Sequence, residues 1–297
     1  MAANRTLDRR QFLRSAGSGL GLAALAGCAT APPPTLQLQP PNGGGRKFVW
    51  PPPPEVPRFL YAGELTGEAN FARQETLGDG VVGALKWFVG LVVGEAPPLV
   101  MQRPQAGVVD ERGRIFVTDV SRQAVFVFDE KEGQLLLWDM ASSTRHFSAP
   151  VGIAVGLGGQ ILVSDAELGI VVKLLPDGTP LGSFGQDKLK RPTGLARDPV
   201  RGLVYVADTR AHDIKVFDDQ DRLVNVIGHS GDDDGELNAP THLTFAGGRL
   251  YVTDSLNSRI QVYAENGEWE RHFGARGLYV GNLVRPKGVA VDNEGHV

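Results

Sequence analysis

The sequence has 297 residues, a formal net charge of −4 and a single cysteine, Cys28. One cysteine excludes an intrachain disulfide, a Cys-based zinc site and covalent c-type haem attachment. The acidic balance argues against nucleic acid as a partner, because phosphate contacts need a basic surface. Glycine (38 residues) and proline (20 residues) are abundant, which favours many turns over long helical bundles.

Residues 1–27 have the features of an export signal: a basic start, an apolar run over 16–26 and small residues before Cys28. A spanning helix needs about 20 residues, so this run is too short to be one. The stretch DRRQFLR, which contains Arg9 and Arg10, resembles the twin-arginine export motif, and LAGC, which ends at Cys28, resembles a bacterial lipobox. The resemblance implies export, diacylation of Cys28 and cleavage before it.

Cleavage removes four arginines and one aspartate, which lowers the formal charge from −4 to −7. Two acyl chains on Cys28 suffice for stable membrane attachment. Ala29, and not aspartate, follows the cysteine, and in lipoproteins of this kind that implies the outer membrane. The expected location is therefore the bacterial cell envelope, on the outer membrane or the periplasmic face.

Residues 28–57 contain two proline runs separated by three glycines. This composition predicts a tether that alternates extended polyproline with a flexible joint, and a docking site for a proline-binding partner is the alternative. Residues 58–103 follow as a closing strand, 58–63, and an apolar run, 81–93, whose only charge is Lys86. We expect that run to be a helix packed on the domain, with an exposed surface for membrane or partner contact as the alternative.

From residue 104 to residue 297 the sequence repeats itself. Four segments start with proline, at positions 104, 150, 192 and 240, and each reaches an apolar run that ends in aspartate. These aspartates are Asp119, Asp165, Asp208 and Asp254, with spacings of 46, 43 and 46 residues. Four short strands in a unit of about 45 residues is the period of a β-propeller blade, and no unit has room for the helix of a βαβ fold.

The repeats resemble the NHL-repeat family of six-bladed propellers, most closely in PTHLTF through DSLNSRIQVY (240–263) and in PKGVAVD (286–292). The resemblance implies an all-β, six-bladed propeller of the NHL/TolB-like kind. The fifth unit stops at Val297, inside its expected second strand. We therefore expect an incomplete, C-terminally truncated ring of about four and a half blades, whose last blade the strand at 58–63 would close.

The repeated aspartates are predicted to cap turns through backbone hydrogen bonds, because every unit has one. Breaks in the repeat are better candidates for a ligand site. His242 replaces the glycine of Gly152, Gly194 and Gly288, and Lys287 precedes the last of these. Arg210 and His212 follow Asp208 on a connecting loop. For His242 the alternative is a structural histidine, and for Arg210 and His212 the alternative is a solvated loop.

Two further patterns bear on chemistry. The acidic run at 232–236 lacks the ligand spacing of a calcium loop and is interpreted as a charged linker between blades. The histidines show no metal-binding motif, and no catalytic nucleophile motif lies outside the signal. We therefore assign no catalytic residue, no metal and no cofactor.

The leading hypothesis is a lipid-anchored extracytoplasmic propeller that acts as a binding or scaffold module for an envelope protein, peptide or glycan. On this hypothesis the protein is not an enzyme. One alternative is a propeller lyase or hydrolase with an axial metal site, and another is a structural subunit of an envelope electron-transfer assembly.

Overall fold

The computed structural model describes residues 34–39, 48–72, 98–279, 281–292 and 294–297. Its strands form four antiparallel sheets of four consecutive strands and two short ribbons. The first ribbon is β1 (Thr35–Leu36) with β4 (Phe71–Ala72), and the second is β2 (Val49–Trp50) with β3 (Phe59–Leu60). The first four-stranded sheet consists of β5 (Pro104–Val109), β6 (Ile115–Asp119), β7 (Ala124–Asp129) and β8 (Gln134–Trp138), and the second of β9 (Pro150–Val155), β10 (Ile161–Asp165), β11 (Ile170–Leu174) and β12 (Pro180–Phe184). The third consists of β13 (Pro192–Asp198), β14 (Leu203–Asp208), β15 (Asp213–Phe217) and β16 (Leu223–Ile227). The fourth consists of β17 (Pro240–Ala246), β18 (Arg249–Asp254), β19 (Arg259–Ala264) and β20 (Trp269–Phe273).

These four sheets, blades I to IV, are arranged as in a β-propeller. The first strands of consecutive blades, β5, β9, β13 and β17, pack next to each other around the axis. The hydrophobic core lies between the faces of neighbouring blades, with one cluster for each of the three blade pairs. The all-β propeller predicted from the repeat is therefore confirmed, while a total of six blades stays a prediction.

Glycine near the start of a first strand allows the next blade to approach closely. A Cβ atom at Gly152 would collide with the backbone carbonyl oxygen of Thr193, and a Cβ at Gly194 would lie 2.7 Å from the Cα of His242. Both neighbours are backbone atoms, which a rotamer change cannot move away. The glycines of the repeat are thus explained by the spacing of the first strands.

Hydroxyl groups one residue before the repeated aspartates connect neighbouring blades. In blade I the Thr118 Oγ1 accepts a hydrogen bond from the Ala106 N–H at 3.2 Å and donates one to the Val151 carbonyl at 2.7 Å. In blade II the Ser164 hydroxyl makes the same two bonds, to the Gly152 N–H and the Thr193 carbonyl. One side chain therefore satisfies backbone groups of two first strands.

The region before blade I differs from the sequence prediction. Thr35–Leu36, inside the predicted tether, pairs with Phe71–Ala72, and Phe71 stacks on Phe128 of blade I with ring centroids 6.2 Å apart. In the segment predicted to be the closing strand, Phe59–Leu60 pairs with Val49–Trp50, and closure of the last blade by residues 58–63 stays a prediction. Each described blade already has four strands from its own repeat, so none has a vacant place for it.

The fifth repeat packs on blade IV. Val289 and Val291 contact the cluster of Tyr251, Ile260 and Val262, as expected for the residues of a first strand. The described residues of 281–297 have no assigned strand.

Several predictions lie outside the described residues: the signal at 1–27, the lipidation site Cys28 and the apolar run at 81–93. The helical elements that the structure does describe are two three-residue 3-10 turns, Glu68–Asn70 and Leu157–Gly159, and neither is long enough to span a bilayer.

The close approach of the first strands predicts a specific cost for Gly194→Ala. The added Cβ meets the backbone of blade IV, so we expect the free energy of unfolding to fall by about 1–3 kcal/mol. Val200→Ala, at a side chain that is 92% exposed, is the control. Urea denaturation of both variants measures the difference. Equal stabilities would contradict the proposed spacing constraint.

Candidate functional site

The face of the propeller where the first strands begin, here called the mouth face, is built around the repeated aspartates. All four are fully buried. The Asp165 carboxylate accepts hydrogen bonds from the Ser148 and Ala149 N–H groups, at 2.7 and 3.0 Å, just before β9 begins. Asp208 accepts from the Lys190 and Arg191 N–H groups in the same way, at 2.7 and 2.9 Å.

The same carboxylates hold the turn that follows each second strand. Asp165, for example, also accepts from the Leu168 N–H at 3.0 Å. The fourth residue after each aspartate has a positive φ, which ends the turn: Gln123, Gly169, His212 and Ser258. The predicted capping role is therefore confirmed, and each capping group also binds the segment that leads into the blade.

An axial cavity of about 340 Å³ lies between the first strands. Its wall is mostly backbone and small apolar side chains from β5, β9, β13 and β17, together with Val289 and Ala290 of the fifth repeat. The polar side chains in the wall are few: His242, Arg197 and Thr244. Ligand sites are concave and use a small number of placed polar groups to fix the orientation of the ligand.

His242 lies in the wall of this cavity on β17, near the mouth face. It occupies the repeat position of Gly152 and Gly194 in the preceding blades, at which a Cβ would meet the backbone of the next blade. Burial lowers the pKa of its imidazole below the ordinary value of 6.5, so the ring is neutral at neutral pH. Among the residues that the structure describes, none makes a hydrogen bond to this ring.

Two hydroxyl groups beside His242 are also without a partner. The Thr241 and Thr253 Oγ1 atoms are buried and make no hydrogen bond to any described residue, and Thr253 lies directly opposite His242 in the β17–β18 pair. Thr253 occupies the repeat position at which Thr118 bonds to the next blade. Neither threonine is among the residues that line the axial cavity, so the polar side chains that a ligand in the cavity can reach are those of His242, Arg197 and Thr244.

The other predicted residues have different environments. Arg210 and Lys287 are exposed and belong to segments on the mouth face. The His212 Nδ1 accepts the Ala239 N–H at 3.1 Å, which ties the β14–β15 loop to the start of blade IV. His212 therefore has a structural role, which differs from both the ligand contact and the solvated loop that the sequence suggests.

Arg197 was missed by the sequence analysis. It lies three residues after Gly194 in β13, towards the opposite end of the cavity from the mouth face. Its Nε is buried without a described partner, and its Nη2 lies 3.4 Å from the Asp219 carboxylate. The signal was present in the sequence, since the equivalent residues in the other repeats are valine or phenylalanine.

The described residues contain no cluster of three histidine, cysteine, aspartate or glutamate side chains that could hold a metal ion. His242 is the one histidine in the described cavity wall. The acidic run at 232–236 connects β16 to β17, as the linker interpretation predicted.

Residues 189–217, which run from just before β13 through β15, match the NHL repeat. The Protein brain tumor of Drosophila melanogaster is 33% identical over 121 residues, which are 39% of this chain and 11% of that protein. RING finger protein nhl-1 of Caenorhabditis elegans is 38% identical over 66 residues, or 22% of this chain and 7% of that protein. The chain thus spans about a tenth of the length of these relatives.

Among solved structures, a gluconolactonase from Xanthomonas campestris superimposes with a TM-score of 0.52 at 20% identity, over 65% of this chain and 66% of that one. Virginiamycin B lyase from Staphylococcus aureus gives a TM-score of 0.50 at 14% identity, over 62% and 58%. At these identities the similarity shows the fold alone. The protein is a β-propeller in which residues 189–217 match the NHL repeat.

The lowered pKa of His242 predicts a pH effect on stability. Between the folded-state pKa and the unfolded value near 6.5, the unfolded chain binds a proton that the folded chain does not, so stability falls as the pH is lowered through this window. Above about pH 6.5 the unfolded chain does not bind this proton either, so His242 makes no contribution to the pH dependence of stability there. His242→Gln should therefore lose less stability than the wild type between about pH 7.5 and about pH 5 in urea denaturation. His146→Gln, at an exposed histidine, is the control, and equal losses in wild type and His242→Gln would contradict the buried, uncharged ring.

Proposed function

We propose that the protein is a lipid-anchored NHL-repeat propeller of the bacterial cell envelope that binds a protein, peptide or glycan partner at its mouth face. Residues 1–27 act as the twin-arginine signal and Cys28 as the lipid anchor. Residues 104–297 supply the binding domain.

The observation that carries the binding proposal is the His242 imidazole, which lies in the wall of the axial cavity. Burial lowers the pKa of this ring, and no residue that the structure describes makes a hydrogen bond to it. A partner group that donates to or accepts from the ring makes a hydrogen bond that the described residues leave unmade. Arg210 and Lys287 are exposed on the same face and are available to orient it.

A binding function fits this cavity better than a metal-dependent reaction. Its described wall supplies a single imidazole and no carboxylate, whereas a catalytic metal typically needs three protein ligands. The lyase and the gluconolactonase share the fold with this chain, and folds of this type host unrelated functions.

Photo-cross-linking in cells tests the binding face. A photoreactive amino acid is placed at Arg210 or at Lys287 in the full-length protein. The matched control position is Val200, which is 92% exposed and lies in the turn after β13 on the opposite face. We expect a discrete adduct from the first two positions and little from Val200. His242→Ala should reduce the adduct yield about tenfold, the loss expected for a central interface residue, while the melting temperature changes by only a few degrees.

Equal cross-linking from all three positions would contradict a specific mouth-face site. If His242→Ala melts several degrees lower and still gives the adduct in full yield, His242 is structural and the site lies elsewhere.

The anchor is tested in the same cells with labelled fatty acid. Cys28→Ala should incorporate no label and should leave the membrane fraction, because the apolar run before it is too short to span a bilayer. Changing Arg9 and Arg10 to lysine should keep the precursor in the cytoplasm. Unchanged membrane attachment of Cys28→Ala would refute the lipoprotein proposal.

A further inference from the structure

The ribbon of β2 and β3 is a hairpin with aromatic side chains on one face. Trp50 lies directly opposite Phe59 in the antiparallel pair, and two residues further along the Tyr61 N–H donates to the Phe48 carbonyl at 2.9 Å. Side chains alternate between the two faces of a strand, so these four aromatic side chains share one face. They are here called the aromatic face.

The rings of the aromatic face contact one another. The Phe48 ring stacks on Trp50 with centroids 6.5 Å apart, and it meets the Tyr61 ring edge-on at 6.2 Å. Cross-strand aromatic pairs of this kind stabilise a hairpin. The four rings therefore form one continuous apolar surface.

This surface is open to solvent. Phe48, Trp50 and Phe59 are 44%, 49% and 50% exposed, and neither strand of the hairpin pairs with a blade. A two-stranded hairpin is marginally stable by itself in water. Exposed aromatic side chains gain free energy when another surface covers them, so the aromatic face is suited to a docking surface.

The chain that leads to this region starts close to the proposed lipid anchor. Pro34 packs on the turn between β7 and β8, where a Cβ at Gly133 would collide with the Pro34 carbonyl oxygen. That turn is on the face of blade I opposite to the mouth face. Cys28 precedes Pro34 by six residues, which span at most about 20 Å. A lipid on Cys28 therefore holds this end of blade I near the bilayer surface.

The hairpin is tied to the same stretch of chain. Gln39 and Glu64 exchange backbone hydrogen bonds, at 3.0 and 2.9 Å, and the Tyr61 hydroxyl donates to the Glu64 carboxylate at 2.9 Å. Gln39 follows Cys28 by eleven residues, which reach at most about 40 Å. The base of the hairpin is thus within reach of the bilayer that the anchor enters.

The charge of the hairpin segment also fits a lipid surface. Residues 46–64 contain three basic side chains, Arg46, Lys47 and Arg58, and two acidic ones, Glu55 and Glu64. The segment therefore carries +1, whereas the chain from Cys28 onwards carries −7. Anionic headgroups repel the acidic remainder of the protein and do not repel this segment. Tryptophan and tyrosine, moreover, are the side chains that membrane–water interfaces favour.

We propose that the aromatic face lies in the headgroup region of the bilayer and forms a second membrane contact beside the lipid on Cys28. This inference rests on the lipid anchor of the proposed function and adds a lipid-binding surface to it. A contact of this size binds a bilayer weakly by itself, and the anchor raises its local concentration at the membrane. Two contacts also orient the propeller, with the mouth face directed away from the bilayer.

Quenching by spin-labelled lipid tests the proposal on the lipidated protein. A fluorophore is attached at Val56→Cys, which is 83% exposed in the hairpin loop, or at the control position Val226→Cys, which is 45% exposed on β16. Cys28 is the single cysteine of the chain and is acylated in this protein, so the added thiol alone reacts. The protein is reconstituted in vesicles of phosphatidylethanolamine and phosphatidylglycerol with headgroup nitroxides, and flotation of the vesicles reports the anchor.

We expect strong quenching of the label at position 56 and weak quenching at position 226. Trp50→Ser with Phe59→Ser removes two rings and should lower the ratio of quenched to unquenched label at position 56 about tenfold. Trp50→Tyr with Phe59→Tyr keeps an aromatic ring at both places and should be quenched as the wild type is.

A matched control removes two apolar side chains elsewhere. Leu223→Ser with Val224→Ser, on β16 and 37% and 51% exposed, should leave the quenching at position 56 unchanged. The melting temperature of the propeller should be the same in all these variants, because none of the substituted residues belongs to a core cluster between blades.

Equal quenching at positions 56 and 226, or unchanged quenching in the Trp50→Ser, Phe59→Ser variant, would overturn the proposal. If the label at position 56 is shielded from iodide in water but is not quenched by lipid, protein covers the aromatic face and the proposal is wrong. Flotation without quenching refutes the hairpin contact and leaves the anchor standing. Absence of flotation refutes the anchor, and the hairpin contact is refuted with it.

Discussion

Each repeat depends on one buried carboxylate that binds two distant pieces of chain. At the end of the second strand, Asp165 and Asp208 accept backbone N–H groups both from the preceding connection and from their own turn. A buried carboxylate is stable only when it is well hydrogen-bonded, and its loss would leave backbone donors unpaired at about 1–3 kcal/mol each. This interaction fixes where every blade begins relative to the blade before it.

The buried carboxylates explain the hydrogen bonds that the repeats share on the mouth face. Residues that depart from the repeat there are therefore candidates for a role other than folding. Glycine near the start of a first strand is required by the backbone of the next blade, whereas the fourth blade has His242 at this position, with its imidazole in the wall of the axial cavity. His212 departs from the repeat as well, but its ring bonds to the Ala239 N–H and serves the fold. The structure therefore distinguishes His242 from His212, although the sequence offers both as ligand candidates.

The period of the repeat was sufficient to predict the propeller, because each strand and turn is specified locally and the same pattern recurs four times. Pairing of Thr35–Leu36 with Phe71–Ala72 was not predictable, since two-residue strands leave no alternating pattern and the partners are far apart in sequence. The capping aspartates could be predicted from their recurrence. Arg197 was overlooked although the equivalent residues of the other repeats are apolar.

The central claim is that the partner binds the mouth face, and hydrogen–deuterium exchange of the protein with and without its cross-linked partner tests it most directly. The account predicts slower exchange on binding in the β14–β15 turn (208–213) and in the connection and strand start at 228–243. The turns of the opposite face, at 110–114, 156–160, 199–202 and 247–248, should exchange as they do in the free protein. Protection confined to those opposite turns would contradict the account.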